Sequence, residues 1–101
     1  MPAESVLWRE IKDYVRHAHG GRLKKVEPAG DNGFPDGIIL IPGCPVLFAE
    51  FKAPRGKLSS RQTFWRDWLL HCGFYYSEPR FFEETCQMID RFVETTQKDE
   101  K

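Results

Sequence analysis

Two short apolar runs, Ile38-Ile39-Leu40-Ile41 and Val46-Leu47-Phe48-Ala49, stand four residues apart, separated by Pro42-Gly43-Cys44-Pro45. Runs this short, rich in β-branched side chains and bounded by turn residues, read as buried strands. A connection so brief leaves no room for a crossover, so the two strands should lie antiparallel. This pair sets the centre of a sheet. With 101 residues in all, the chain makes one domain, residues 1–101, built round that sheet.

The remaining elements follow from periodicity and punctuation. Leu7, Ile11, Tyr14, Val15 and Ala18 recur at threes and fours, which predicts a helix over residues 4–18 ended by Gly20-Gly21. Residues 22–27 predict a short strand closed by Pro28, and Ala29 to Gly33 a loop. The two central strands extend over Asp36–Ile41 and Val46–Lys52. Ser59 with Gln62 three residues later has the pattern of a capping box and starts a helix. Phe64, Trp65, Trp68, Leu69 and Cys72 line one face of it, and Gly73 stops it. Phe74 to Ser77 predicts a strand that joins the sheet through a crossover. Residues 80–96 predict a last helix with Phe82, Ile89, Phe92 and Val93 as its stripe, and residues 95–101 a flexible, charged tail. The order is α-β-β-β-α-β-α, an α/β fold with a mixed sheet flanked by helices.

Composition narrows the function. Fifteen basic and fifteen acidic residues give zero net charge, unlike a strongly basic DNA binder, but the distribution is uneven. Residues 51–66 carry Lys52, Arg55, Lys57, Arg61 and Arg66 with no acid, while the carboxyl end is acidic. Cys44, Cys72 and Cys86 are an odd, scattered set, which argues against a disulfide framework. They and the three histidines lack zinc-site spacing. No apolar run approaches a membrane span and residues 1–10 do not resemble a signal peptide, so a cytoplasmic protein is expected.

The two central strands also carry charge at their ends. Pro35 precedes Asp36 and restricts the backbone there, holding Asp36 at a strand's entry; Pro-Asp-Gly is equally an ordinary turn. Glu50 follows Val-Leu-Phe-Ala, where a carboxylate costs free energy unless paired or metal-bound. It reads either as a ligand or as a solvent-facing partner of Lys52. Period two puts Phe48, Glu50 and Lys52 on one face of the strand and Leu47, Ala49 and Phe51 on the other. Taken together, Asp36, Glu50 and a backbone carbonyl such as that of Phe51 would suit Mg²⁺, with Mn²⁺ as substitute. Lys52 would orient or help deprotonate the attacking water and offset charge in the transition state. The set reads as a metal-dependent phosphodiesterase centre. Arg55, Lys57, Arg61 and Arg66 are candidate phosphate contacts, extended by Arg22, Lys24 and Lys25, unless they form only a solvated basic face. No base-reading motif is evident, so shape recognition of DNA is expected.

Gly33-x-Pro35-Asp36, Glu50-x-Lys52 and the downstream Ser59-x-x-Gln62 resemble the VRR-NUC domain, a branch of the PD-(D/E)XK nuclease superfamily, over roughly residues 4–77. The resemblance implies a restriction-endonuclease-like core and Mg²⁺- or Mn²⁺-dependent DNA cleavage. It implies catalytic roles for Asp36, Glu50, Lys52 and Gln62, and a first-helix acid among the metal ligands, Glu4 with Glu10 as the alternative. Glu4 reads equally as a favourable charge at a helix start. Stand-alone members resemble Holliday junction resolvases, homodimers acting on four-way junctions, and a two-fold pair of active sites suits such a substrate. Alternatives are a flap or nicking nuclease, or a non-catalytic DNA-binding module. Trp8, Trp65, Tyr75, Tyr76, Phe81 and Phe82 are candidates for a dimer surface, or else core.

Overall fold

A computed structural model of the chain describes residues 3–26 and 33–98. In chain order the elements are α1 (Ala3–His19), β1 (Arg22–Lys25), β2 (Gly37–Leu40), β3 (Leu47–Ala49), α2 (Ser60–His71), β4 (Tyr75–Ser77) and α3 (Phe82–Thr96). The sheet order is β1-β2-β3-β4. The first two pairings are antiparallel, and β3–β4 is parallel because α2 crosses between them. Element types and order, the antiparallel β2–β3 pair and the crossover into β4 are those the sequence predicts; the partners of β1 and β4 come from the structure. Glu27, Pro28 and the predicted loop from Ala29 to Asn32 lie outside the described residues, as do residues 99–101 of the predicted tail.

Period two in the strands sorts side chains into two layers. Ile39, Leu47 and Ala49 face a core closed by Leu7, Ile11 and Val15 of α1 and by Cys86, Ile89, Phe92 and Val93 of α3. Phe48, one step along β3, faces the other side. There it meets Phe34 and Phe74 edge-on, and Phe34 in turn meets Trp65 of α2. The sheet is thus covered on one face by α1 and α3, and on the other by an aromatic cluster beneath α2.

Several boundaries and faces differ from the sequence reading. The regular strands are shorter: β2 ends at Leu40 and β3 at Ala49. Beyond Ala49 the chain stays hydrogen-bonded to the segment leaving β4, with Glu50 N–H donating to the Ser77 carbonyl and Lys52 N–H to that of Pro79. In α2 only Leu69 is buried; Phe64 and Trp68 are 59% and 49% exposed, and Cys72 is also exposed. Phe64 and Trp68 lie about 100° round the helix from Trp65 and Leu69, so one contact face cannot bury both pairs. Ala18 and Phe82, assigned to apolar stripes, are likewise exposed. The tail begins later than expected: Thr95 and Thr96 complete α3. Gln97 Nε2 and Lys98 N–H then donate to the carbonyls of Pro42 and Gly43, which fastens this end to the β2–β3 turn.

A second clasp joins α1 to α3. Tyr14 donates its hydroxyl to Asp90 Oδ1 at 2.6 Å, and His19 Nε2 lies 2.8 Å from the same oxygen. The Tyr14 bond pushes that phenol up to about 12 and holds Asp90 below the usual carboxylate range. The phenol's contribution is complete below its ordinary value of 10.0 and fades as pH rises through the folded value. That of Asp90 is complete above 3.8 and fades as pH falls through its lowered value. Because Asp90 is half exposed, Tyr14→Phe should cost about 0.5–1 kcal/mol in urea unfolding near neutral pH. The difference should shrink below pH ~4 as Asp90 is protonated.

Candidate active site

The antiparallel register places Gly37 opposite Ala49. One step outward, Asp36 faces Glu50, and cross-strand neighbours point to the same side of a sheet. Pro35 is fully buried and anchors the entry to β2. The Asp36 carbonyl accepts the Val26 N–H, and its carboxylate Oδ2 accepts the Phe51 N–H at 2.9 Å. Asp36 therefore bridges the end of β1 and the exit from β3.

Glu50 is 3% exposed. Its Oε2 accepts a hydrogen bond from Gln62 Nε2 at 3.0 Å, while its buried Oε1 has no partner. Gln62 can reach it because the capping box forms: Gln62 N–H donates to Ser59 Oγ, and Gln62 Oε1 accepts the Ser59 N–H. One end of the Gln62 amide caps α2 and the other holds Glu50. Glu4, in the first turn of α1, accepts the Ala53 N–H through Oε2 at 3.1 Å. Three carboxylates from three elements thus gather along residues 50–53. Glu10 is exposed, and its charge acts on Cys86 of α3 instead.

The electrostatics record this proximity. Burial raises Asp36 above the usual range; the Phe51 amide and the Lys52 charge oppose the rise, and the Glu4 charge adds to it. Burial, followed by the charge of Asp36, pushes Glu50 up to about 7, against the pull of Lys52. Lys52 therefore acts electrostatically on both carboxylates. The Phe51 N–H is taken by Asp36, and its side chain is buried against Trp8. Among the described residues no three Asp, Glu, His or Cys side chains form a ready-made cation site. The donor set still suits a hard cation: each carboxylate has one oxygen on an N–H, and the second oxygen of Glu50 is buried without a partner.

Arg55, Lys57 and Arg61, on the loop after the site and the start of α2, are exposed, as are Lys24 and Lys25 on β1. Arg66 is less exposed, and its guanidinium is paired with the neighbouring Asp67 at 2.9 Å. The sequence reading missed Arg80, which donates to the carbonyls of Ala53 and Gly56 and so holds the loop that follows Lys52. No signal in the sequence marks it, since its partners are backbone carbonyls more than twenty residues away.

No family model matches the sequence, and no curated protein matches it. A solved structure of a VRR_NUC domain superposes with a TM-score of 0.81 and 20% sequence identity, over 91% of this chain and 99% of that one. The chain has the VRR_NUC fold. In this VRR_NUC fold the opposed Asp36 and Glu50 sit where the exits of β1 and β3 and the entry to β2 meet the starts of α1 and α2. No helix among the described residues is long and apolar enough to cross a membrane.

Proposed function

We propose that the chain is a divalent-metal-dependent endonuclease that hydrolyses DNA phosphodiester bonds, with branched DNA as its substrate. The observation that carries this reading is the buried Glu50 carboxylate, set opposite Asp36 with one oxygen unpartnered and Lys52 in electrostatic range. Two carboxylates this close repel each other unless a proton or a cation lies between them, and a hard cation would use the free oxygen of Glu50. Asp36, Glu50 and Glu4 would hold Mg²⁺ or Mn²⁺, together with the Phe51 carbonyl. Bound there, the ion would supply charge stabilisation at the phosphate and acidify water.

The chain's own groups have separable tasks. Phe51 N–H, Ala53 N–H and Gln62 fix the carboxylates in place. Lys52 orients the nucleophile and offsets charge that develops on the phosphate. Arg55, Lys57 and Arg61 lead away from the site along one exposed stretch and hold the flanking backbone without reading bases. The preference for four-way junctions and a homodimeric assembly follow the resemblance in sequence motifs; action in the cytoplasm is part of the same proposal. The exposed Phe64, Trp68, Phe74, Tyr75 and Phe81 offer apolar surface for pairing.

The test is a side-by-side digestion of a four-way junction, a flap, nicked and plain duplex and RNA, at one salt concentration because phosphate contacts are salt-dependent. Cleavage should require Mg²⁺ or Mn²⁺, stop with chelator and favour the junction over plain duplex. If no substrate is cut with either metal, the chain is not a nuclease. Preference for the flap or nick would move it to those repair functions.

A further inference from the structure

Glu4 and Trp8 are four residues apart in α1 and so lie on one face, a turn from each other. Both line a cavity of about 480 Å³ that also includes Asp36. Among the described residues Val26, Phe34 and Phe51 supply the apolar part of its wall, and Ser5 a small polar one. Arg9 and Lys25, both exposed, border it.

The indole is held from two sides. It packs on Phe51 with ring centroids 4.8 Å apart. Its benzo edge lies so close over Gly37 that a Cβ added there would stand 2.6 Å from Cη2. Only glycine at position 37 leaves space for the ring, which is otherwise half-buried and contributes to the cavity wall.

Phosphodiester hydrolysis at the carboxylates makes no use of an apolar, aromatic chamber beside them. A cation and its waters need oxygen donors. The chamber suits a flat, uncharged aromatic group attached to a phosphate. The step along α1 from Glu4 to Trp8 is about 6 Å, similar to the reach from a backbone phosphate to its own base. Arg9 and Lys25 supply positive charge that suits phosphate, whereas the apolar part of the wall suits a ring.

We propose that this cavity receives an unstacked nucleobase from a nucleotide adjoining the scissile phosphate, with Trp8 stacking on it. This deepens the nuclease reading of the same site and rests on it. A base inside a continuous duplex cannot enter. The cavity would thus favour DNA whose bases are already unpaired at a branch, bulge or end, which gives shape selectivity without a base-specific hydrogen bond.

The test is binding of two duplexes with Ca²⁺ in place of Mg²⁺, identical except that one carries a bulged 2-aminopurine and the other an abasic bulge. The wild-type protein should bind the first about tenfold more tightly, with the 2-aminopurine fluorescence quenched by the indole. Trp8→Leu should bring the ratio close to one, and Trp8→Phe should keep most of it. Equal wild-type affinities with unchanged fluorescence would overturn the proposal and leave the cavity to another occupant, such as a side chain of a second copy. That comparison needs no variant, so a folding defect cannot obscure it. The readout is also independent of cleavage. Base binding by a protein that cuts nothing keeps the pocket and removes the nuclease, whereas cleavage without base preference removes the pocket and keeps the nuclease.

Discussion

Lys52→Ala should lower metal-dependent DNA cleavage by about a hundredfold or more, the range seen when a charge-stabilising group is removed from a site of this kind. Mn²⁺ binding should survive, because Lys52 is not a ligand. Its charge acts on Asp36 and Glu50 together, opposing the rise that burial imposes on each. Its backbone is fixed by the N–H bond to the Pro79 carbonyl, and the loop after it by Arg80. Truncation therefore removes the ammonium and leaves the chain path in place. Lys52→Arg should restore only part of the activity, since a planar fork does not replace a compact point charge. Calorimetry with Mn²⁺ and a junction-cleavage assay on the same preparations separate binding from chemistry. Full cleavage by Lys52→Ala would remove Lys52 from the mechanism, and loss of Mn²⁺ binding would make its role structural.

How much of this was legible before the structure depended on how local each cause was. The β2–β3 pairing could be read because four turn residues allow one geometry, and the same register sets Asp36 opposite Glu50. The capping box could be read because both partners lie within one turn of helix. Its second use rests on the family resemblance alone, which puts Gln62 at the site: the Gln62 bond to Glu50 spans twelve residues and depends on where α2 docks. The face of α2 was misjudged because its apolar residues occupy more than one side, and periodicity cannot say which side meets the sheet. Arg66 stays a candidate phosphate contact, but one that Asp67 already pairs. Adjacent residues on a helix do not normally face each other, so the sequence does not announce the 2.9 Å pair. Trp8 reads as either a dimer-surface or a core aromatic, because its bulk is evident in the sequence and its partners are not. Phe51 and Gly37 lie far along the chain, and the packing follows only once α1 brings Trp8 over the start of β2.

Glu50→Gln should make the metal-free protein more stable than the wild type at pH 8, by an amount on the order of 2 kcal/mol, and nearly equal to it at pH ~4. The sign follows from burial. Glu50 ordinarily titrates at 4.5, but burial and then the Asp36 charge push it up to about 7 in the folded chain. Below 4.5 folded and unfolded chains both hold the proton, and Glu50 imposes no penalty. Between 4.5 and about 7 the unfolded chain releases it first, so stability falls as pH rises, and above that window the full penalty applies. The whole interval corresponds to about 3 kcal/mol, part of which relaxation of Asp36 and Lys52 should recover. Glutamine keeps the shape and the neutral charge, and its side-chain oxygen can still accept from Gln62, so the variant escapes the penalty. Urea unfolding at the two pH values measures this; a variant less stable than wild type at pH 8 would contradict it. The converse measurement uses metal. Mg²⁺ should stabilise the wild type at pH 8, because an ion that binds only the folded chain offsets the buried charge, and should leave Glu50→Gln almost unmoved. A residue whose removal stabilises the empty protein and abolishes its response to the ion is held against folding energetics for the sake of that ion.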